Sequence, residues 1–238
     1  MKIGLYGYGK MGKTIERLAI NRGHEIILKI DAENATSITS EDLKKADVMI
    51  EFSRPELAVK HITNCFETGV PIVVGTTGWY DSYQEIKNKC ETNKGAFLSA
   101  TNFSVGVNLF FELNKRLAKL MQPHSSYQVM VEEIHHTQKL DAPSGTAITI
   151  AEGIIENYPN KSNWIIDQSP KENEVEIIAK RLPEVPGTHE VTYASAIDDI
   201  SIKHTAHNRD GFALGAIIAA EFIKDKHGIF TMEDVLKL

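Results

Sequence analysis

Cysteine is scarce in this chain: Cys65 and Cys90 are the only two in 238 residues. They form no close pair, so neither a disulfide framework nor a structural zinc site is expected. Each falls in a helix-like stretch, "VKHITNCFETG" and "YQEIKNKCETN", which reads as reduced, structural thiols in a reducing compartment. A basic excess is also missing. Lysine and arginine number 26 against 32 acidic residues, a formal charge of −6, and phosphate backbones need a basic surface, so no nucleic-acid partner is expected. No apolar run approaches the roughly 20 residues that span a bilayer, so no membrane partner is expected either. The start, "MKIGLYGYGK", carries a lysine and an apolar run, but glycines interrupt it early and no small-residue cleavage site follows. It reads as a buried strand of a cytoplasmic protein. With 42 % apolar and 24 % charged residues the composition is globular, and the length suits one large domain or two small ones.

What the chain does have begins at once. "KIGLYG" is a β-prone run, and Gly7, Gly9 and Gly12 of "GYGKMG" fit G-x-G-x-x-G. A helical pattern follows with Ile15, Leu18 and Ala19 apolar and Gly23 as its stop, and then a second strand, "HEIILKI", ends at Asp31. Gly7 permits the tight turn, Gly9 lets the backbone approach a pyrophosphate, and Gly12 lets helix and strand lie close. Asp31 stands where a carboxylate accepts ribose hydroxyls, and it would repel a 2′-phosphate. The following "DAENATS" supplies no arginine to offset that charge, so NADH is favoured over NADPH.

Strands and helices then alternate: "ADVMIEF", a helix from Pro55, "VPIVVGTTG", the helical "YDSYQEIKNKCETN", and "GAFLSA". This predicts an α/β, Rossmann-type doubly wound parallel sheet over 1–104. Its strand ends carry the glycine loop, Phe52 and Ser53 of "EFSRP", Gly75, Thr76 and Thr77 of "GTTGW", and Ala100, Thr101 and Asn102 of "ATNFS". After a helix over 105–121 the pattern turns to strands, "YQVMVEEI", "NEVEIIAKRL", "EVTYASA" and "DISIKHTA", broken by one helix after Ser144. That is α+β patterning with a mostly antiparallel sheet, expected over 105–208. Residues 209–238, with the helix "HNRDGFALGAIIAAEFI", are expected to pack back on the first domain.

The densest chemistry is "EEIHHTQKLDAPSGTA", Glu132 to Ala147. His135 and His136 point in different directions, Lys139 adds a cation, and Pro143 and Ser144 open a helix whose first turn holds Gly145 and Thr146. Helix-start N–H groups and two hydroxyls suit a carboxylate, and an imidazole near pKa 6.5 can deliver a proton at neutral pH. Metal binding by His135, His136, Glu132 or Glu133 is disfavoured, because adjacent histidines chelate poorly and Lys139 is close by.

These motifs, with "EFSRPE", "ATNFSVGVN" and the late "IKHTAHNRDGFALGA", resemble dihydrodipicolinate reductases along essentially the whole chain. The resemblance implies a reductase that passes hydride from NADH or NADPH to 4-hydroxy-tetrahydrodipicolinate, in lysine and diaminopimelate synthesis. It implies catalysis by His135 and Lys139, with the choice of proton donor open. It implies a dicarboxylate substrate held by His136, Lys139, Ser144, Gly145 and Thr146. Cofactor contacts are implied at Gly7, Tyr8, Gly9, Lys10, Met11, Gly12, Asp31, Phe52, Ser53, Gly75 to Thr77, Ala100 to Asn102, Arg209 and Phe212, with no metal ligand and a homotetramer built through the second domain's sheet. Two departures stand out: "RLPEVPGTHEV" replaces a glycine-rich segment ending G-E-H, and the stretch after Asp31 is short. Two other readings remain, a reductase or dehydrogenase of amino or imino acids and a non-catalytic nucleotide sensor.

Overall fold

The computed structural model describes residues 1–238 and divides into two compact units, Met1–Val105 with Asp210–Leu238, and Gly106–Arg209. The first unit holds β1 (Lys2–Tyr6), α1 (Lys10–Asn21), β2 (Glu25–Ile30), α2 (Ser40–Leu43), β3 (Val48–Glu51), α3 (Pro55–Thr68), β4 (Ile72–Val74), α4 (Tyr83–Thr92) and β5 (Ala96–Ser99). Helix α5 (Val105–Met121) leads into the second unit, with β6 (Gln128–His135), α6 (Gly145–Asn157), β7 (Asn163–Ile166), β8 (Glu174–Arg181), β9 (Gly187–Ala194) and β10 (Asp199–Ala206). The chain finishes in the first unit with α7 (Asp210–Ile223), β11 (Gly228–Phe230) and α8 (Met232–Leu236).

The first sheet is parallel and six-stranded, in the order β11-β5-β4-β3-β1-β2. Its inner strands β1, β3, β4 and β5 are largely apolar on both faces, and period-2 alternation deals their side chains to two cores. Leu5, Val48, Ile50, Val73 and Leu98 pack with Ile15 and Ala19 of α1 and Ala216, Ile217 and Ala220 of α7. Tyr6, Met49, Ile72, Val74 and Phe97 face Ala58, Ile62, Cys65 and Phe66 of α3 and Ile86 and Cys90 of α4. Both cysteines are free and buried, and burial pushes their thiols up, Cys90 to about 11, so neither is a thiolate at neutral pH. The sequence pattern stops at five strands. The sixth, β11, is three residues long and forms only because β5 offers it an edge.

The second sheet is mixed, in the order β10-β9-β6-β8-β7. The β10–β9 and β9–β6 pairs are antiparallel, whereas β6–β8 and β7–β8 are parallel. The parallel part arises because α6 carries the chain from β6 to β7 as a crossover, and β7 is too short for its pattern to show in the sequence. Helix α6 covers one face through Ala147, Ile150, Ala151 and Ile154, which pack on Val129, Val131, Val175, Ile177, Val191 and Tyr193. No helix in either unit is long and apolar enough to cross a membrane.

Candidate active site

In the first unit the ends of β1, β2 and β3 enclose a cleft of about 390 Å³, lined by Gly7, Tyr8, Gly9, Asp31, Phe52, Ser53, Arg54 and His61 among others. The glycines explain its shape. Gly7 has φ +91°, and a Cβ there would meet Phe52 O at 2.1 Å. A Cβ at Gly12 would meet Gly7 O at 2.3 Å, so helix α1 can press on the loop only without one. At Gly9, the N-cap of α1, a Cβ would meet nothing within 4 Å, so open space lies before the helix start. Helix α1 begins at Lys10, one turn earlier than the sequence pattern indicates, so Lys10, Met11 and Gly12 lie in its first turn. A crowded elbow ahead of an open helix N-terminus fits a dinucleotide pyrophosphate.

Asp31 follows β2 and opens a tight turn, its Oδ1 accepting from Glu33 N at 2.9 Å and Asn34 N at 3.3 Å. No arginine follows it in sequence, but Arg54, the N-cap residue of α3, reaches the same cleft from the end of β3. Beneath the cleft, fully buried Glu51 accepts from the Ser53 hydroxyl, and His61 stacks on Tyr6 with ring centroids 4.0 Å apart. Gly75, Thr76, Thr77, Ala100, Thr101 and Asn102 occupy the ends of β4 and β5, outside the residues that line that cleft. Thr76 Oγ1 accepts from Ser53 N at 2.9 Å and its carbonyl from Trp79 Nε1 at 2.7 Å, while Asn102 Oδ1 accepts from Ser104 N at 2.9 Å. Arg209 is an exposed end residue of the second unit. Phe212 is half-buried in the first turn of α7, and neither lines the cleft.

In the second unit the site grows from β6. Its burial alternates, so Val129, Val131, Glu133 and His135 all face the core beneath α6. A valine row that ends in Glu-x-His therefore buries a carboxylate and an imidazole: Glu133 is 0 % and His135 8 % exposed. Cross-strand register adds neighbours. Glu133 pairs with His189 of β9, which pairs with His204 of β10, and His135 pairs with Arg181 of β8.

Glu133 Oε1 accepts from Ser144 N at 3.0 Å and from Arg181 Nη2 at 3.2 Å. Its Oε2 lies 3.3 Å from His135 Nδ1 and 3.8 Å from His189 Nε2. The first contact has ion-pair distance but lacks hydrogen-bond alignment, and both atoms are otherwise unpartnered. Burial pushes the Glu133 carboxyl up, but the close His135 imidazole and the hydrogen bond from Ser144 outweigh it and bring it to about 2, so it is ionised at neutral pH. Burial, helped by the nearby His135, lowers His189 to about 4, which leaves it neutral.

The loop after β6 carries Lys139, whose Nζ donates to both Asp141 oxygens at 2.8 Å and holds that carboxyl below its ordinary range. Arg181 Nη2 also donates to Asp141 O at 2.6 Å, which fastens the loop. Ser144 caps α6, its Oγ accepting from Ala147 N at 3.2 Å, and it is only 3 % exposed. The Ser144 N–H and hydroxyl thus already serve the protein. Gly145 is exposed with nothing within 4 Å of where a Cβ would be, and Thr146 follows it in the first turn. His136 is half-buried beside His135, and its carbonyl accepts from Lys139 N at 3.1 Å.

The structure therefore gathers Gly7, Tyr8, Gly9, Asp31, Phe52 and Ser53 in one cleft, and His135 with the Ser144 cap around Glu133. Arg181, His189 and Arg54 are missing from the residues singled out by sequence, and Glu133 enters there only as a disfavoured metal ligand, although the β6 alternation carries a signal for its burial. Glu133, His135 and His189 offer ligand-type atoms within 4.8 Å of one another. Arg181 Nη2 and the Ser144 N–H already donate to one oxygen of that carboxylate.

Comparison with known proteins agrees with this layout. The family models described as "Dihydrodipicolinate reductase, N-terminus" and "Dihydrodipicolinate reductase, C-terminus" match residues 1–103 and 106–236. A 4-hydroxy-tetrahydrodipicolinate reductase of Christiangramia forsetii is 53 % identical, covering 99 % of this chain and 98 % of the relative. Another from Thermosipho africanus is 35 % identical over 100 % of this chain and 98 % of the relative. Among solved structures, a dipicolinate-bound dihydrodipicolinate reductase from Paenisporosarcina sp. TG-14 shares the fold with TM-score 0.77 at 23 % identity, covering 97 % of each chain. An amine dehydrogenase from Mycobacterium smegmatis shares it more loosely, with TM-score 0.62 at 11 % identity, covering 98 % of this chain and 95 % of that one. On the two family models, which together span nearly the whole sequence, and on near full-length relatives of up to 53 % identity, the chain belongs to the dihydrodipicolinate reductase family.

Proposed function

We propose that this protein reduces 4-hydroxy-tetrahydrodipicolinate to tetrahydrodipicolinate in lysine and diaminopimelate synthesis. The observation that carries the reading is full-length identity of 53 % to a reductase of that name. The buried Glu133–His135 pair beside a lysine loop and an open helix start supports it. A nicotinamide nucleotide, when bound, supplies the hydride. Gly7 to Gly12 receive its pyrophosphate, Asp31 its ribose, and the ends of β3, β4 and β5, with Phe52, Ser53, Gly75 to Thr77 and Ala100 to Asn102, its nicotinamide half. Arg209 and Phe212 are assigned to the same cofactor. An exposed carboxylate at Asp31 opposes a 2′-phosphate, so NADH is the preferred form, although Arg54 in the same cleft softens the preference.

The second unit supplies the rest. Lys139 and the first turn of α6, at Gly145 and Thr146, take the carboxylates of the substrate, with His136 beside them. Ser144 acts from beneath, by fixing the start of the helix. Overall the ring gains one hydride and one proton and loses water, and His135 delivers the proton. Met130, Ile134 and Ile178 alternate away from α6 on a half-buried sheet face, and we assign that face to a homotetramer interface.

The test is a coupled assay in which a dihydrodipicolinate synthase feeds fresh substrate while nicotinamide absorbance is followed with NADH and, separately, with NADPH. Turnover that depends on the synthase product is expected, faster with NADH. No turnover with either cofactor, in protein that binds NADH, would sink the reading. Turnover on simple amino or imino acids instead would favour a dehydrogenase of that class.

A further inference from the structure

The reduction as proposed uses His135 but gives no task to the carboxylate beneath it. Glu133 is completely buried, and its two oxygens are divided. Oε1 accepts from Ser144 N and Arg181 Nη2, contacts that hold the start of α6 and the end of β8. Oε2 takes part in neither and is turned toward two imidazoles, His135 Nδ1 at 3.3 Å and His189 Nε2 at 3.8 Å. That oxygen has no aligned donor although it lies in the core, where such atoms are normally satisfied, and unlike the equally unpartnered Oε2 of Glu51 it has two imidazoles within 4 Å.

The opposite edge of the imidazole is different. Gly187, at the start of β9, has no side chain, and a Cβ there would stand 3.2 Å from His135 Nε2. Glycine at this position keeps that nitrogen clear.

We propose that Glu133 is the positioning residue for His135: its Oε2 keeps Nδ1 protonated and stabilises the imidazolium, so that the proton leaves from and returns to Nε2, at the Gly187 edge. This rests on the reductase reading. The charges around the ring fit it. From β6 itself comes Glu133; from β9, neutral His189, with His204 beyond it on β10; from β8, Arg181; and from the following loop, Lys139 paired with Asp141. Lys139 and Asp141 largely cancel. Without Glu133, Arg181 would face the imidazolium uncompensated, so its carboxylate is what allows His135 to carry a proton in a buried place. The neutrality of His189 leaves His135 as the ring that shares that charge.

The test compares wild type with Glu133→Gln and Glu133→Asp. Glutamine keeps an oxygen for the Ser144 N–H and removes the charge, whereas aspartate keeps the charge on a shorter arm. With Glu133→Gln we expect kcat to fall about 100-fold or more, KM to move by less than about threefold, and the alkaline limb of kcat/KM to move down by about one pH unit or more. With Glu133→Asp the limb stays near its wild-type position even if the rate is lower. A Glu133→Gln enzyme with an unmoved limb, or with an effect confined to KM, overturns the proposal. Because the charge-removing variant could fail to fold, the tautomer of His135 is also read in the wild-type protein by nitrogen-15 NMR of labelled histidine. A neutral ring protonated on Nδ1 is expected, and one protonated on Nε2 overturns the proposal. Wild-type protein without turnover would instead sink the reductase reading, and the tautomer would still decide whether Glu133 orients the ring.

Discussion

His189 should make the second unit sensitive to mild acid, by an amount that can be worked out. Burial holds it neutral down to about pH 4, whereas in the unfolded chain it titrates near its ordinary 6.5. Between those values the unfolded state binds a proton at this site and the folded state does not. Stability is therefore complete above pH 6.5 and falls as the pH drops toward 4. At 1.36 kcal/mol per pH unit the loss comes to about 3 kcal/mol. Glu133 continues the trend below that window, from its ordinary 4.5 down to about 2, because its protonation again favours the unfolded chain. Replacing His189 with glutamine removes only the first of these losses. The assay is urea unfolding at several values from pH 7 to 4, followed by the emission of Trp164 of β7 in a Trp79→Phe background, so that the second unit alone is read. Wild type should lose about 3 kcal/mol more than His189→Gln across that range. Parallel curves for the two proteins would refute the reasoning, since they would mean that His189 takes up its proton as readily in the fold as outside it.

Other outcomes are expected at single residues. Asp31→Ala should narrow the gap in kcat/KM between NADH and NADPH by about fivefold, roughly 1 kcal/mol for two solvent-exposed charges about 4 Å apart in water, and an unchanged ratio would remove Asp31 from cofactor choice. His135→Gln should lower kcat by about 10²- to 10⁴-fold with little change in KM, and an effect limited to KM would reassign the imidazole to binding. Gly12→Ala places a methyl group 2.3 Å from Gly7 O, so α1 must move away from its loop. Fluorescence titration should then show weakened NADH binding, and thermal melting a loss of about 1–3 kcal/mol; undiminished affinity would show that the close approach is not needed.

The first unit was the more legible one because its information is local. Gly7, Gly9 and Gly12 stand within six residues, and the inner strands of the parallel sheet are short, largely apolar runs, so motif and core share one segment. What escaped there depends on distant partners: β11 exists only as an edge against β5, and Arg54 enters the Asp31 cleft only because β3 and β2 both flank β1. The second site mixes both kinds of information. His135, Lys139 and Ser144 are close in sequence, and their chemistry reads directly from "HHTQKLDAPSG". Glu133 was legible in principle, since Val129 and Val131 set a period of two that carries straight on to Glu133 and His135. A carboxylate on the core face of a strand must be paired, and the period says so without a structure. The identity of its partners is another matter. Arg181 and His189 arrive on β8 and β9, one parallel and one antiparallel to β6, and a shift of one residue in either register would turn them to the opposite face of the sheet. Alternation could thus reveal that a buried charge needs company. Only the pairing of three strands shows that the company is a guanidinium on one oxygen and two imidazoles on the other, the division that separates the structural work of Glu133 from its chemical work.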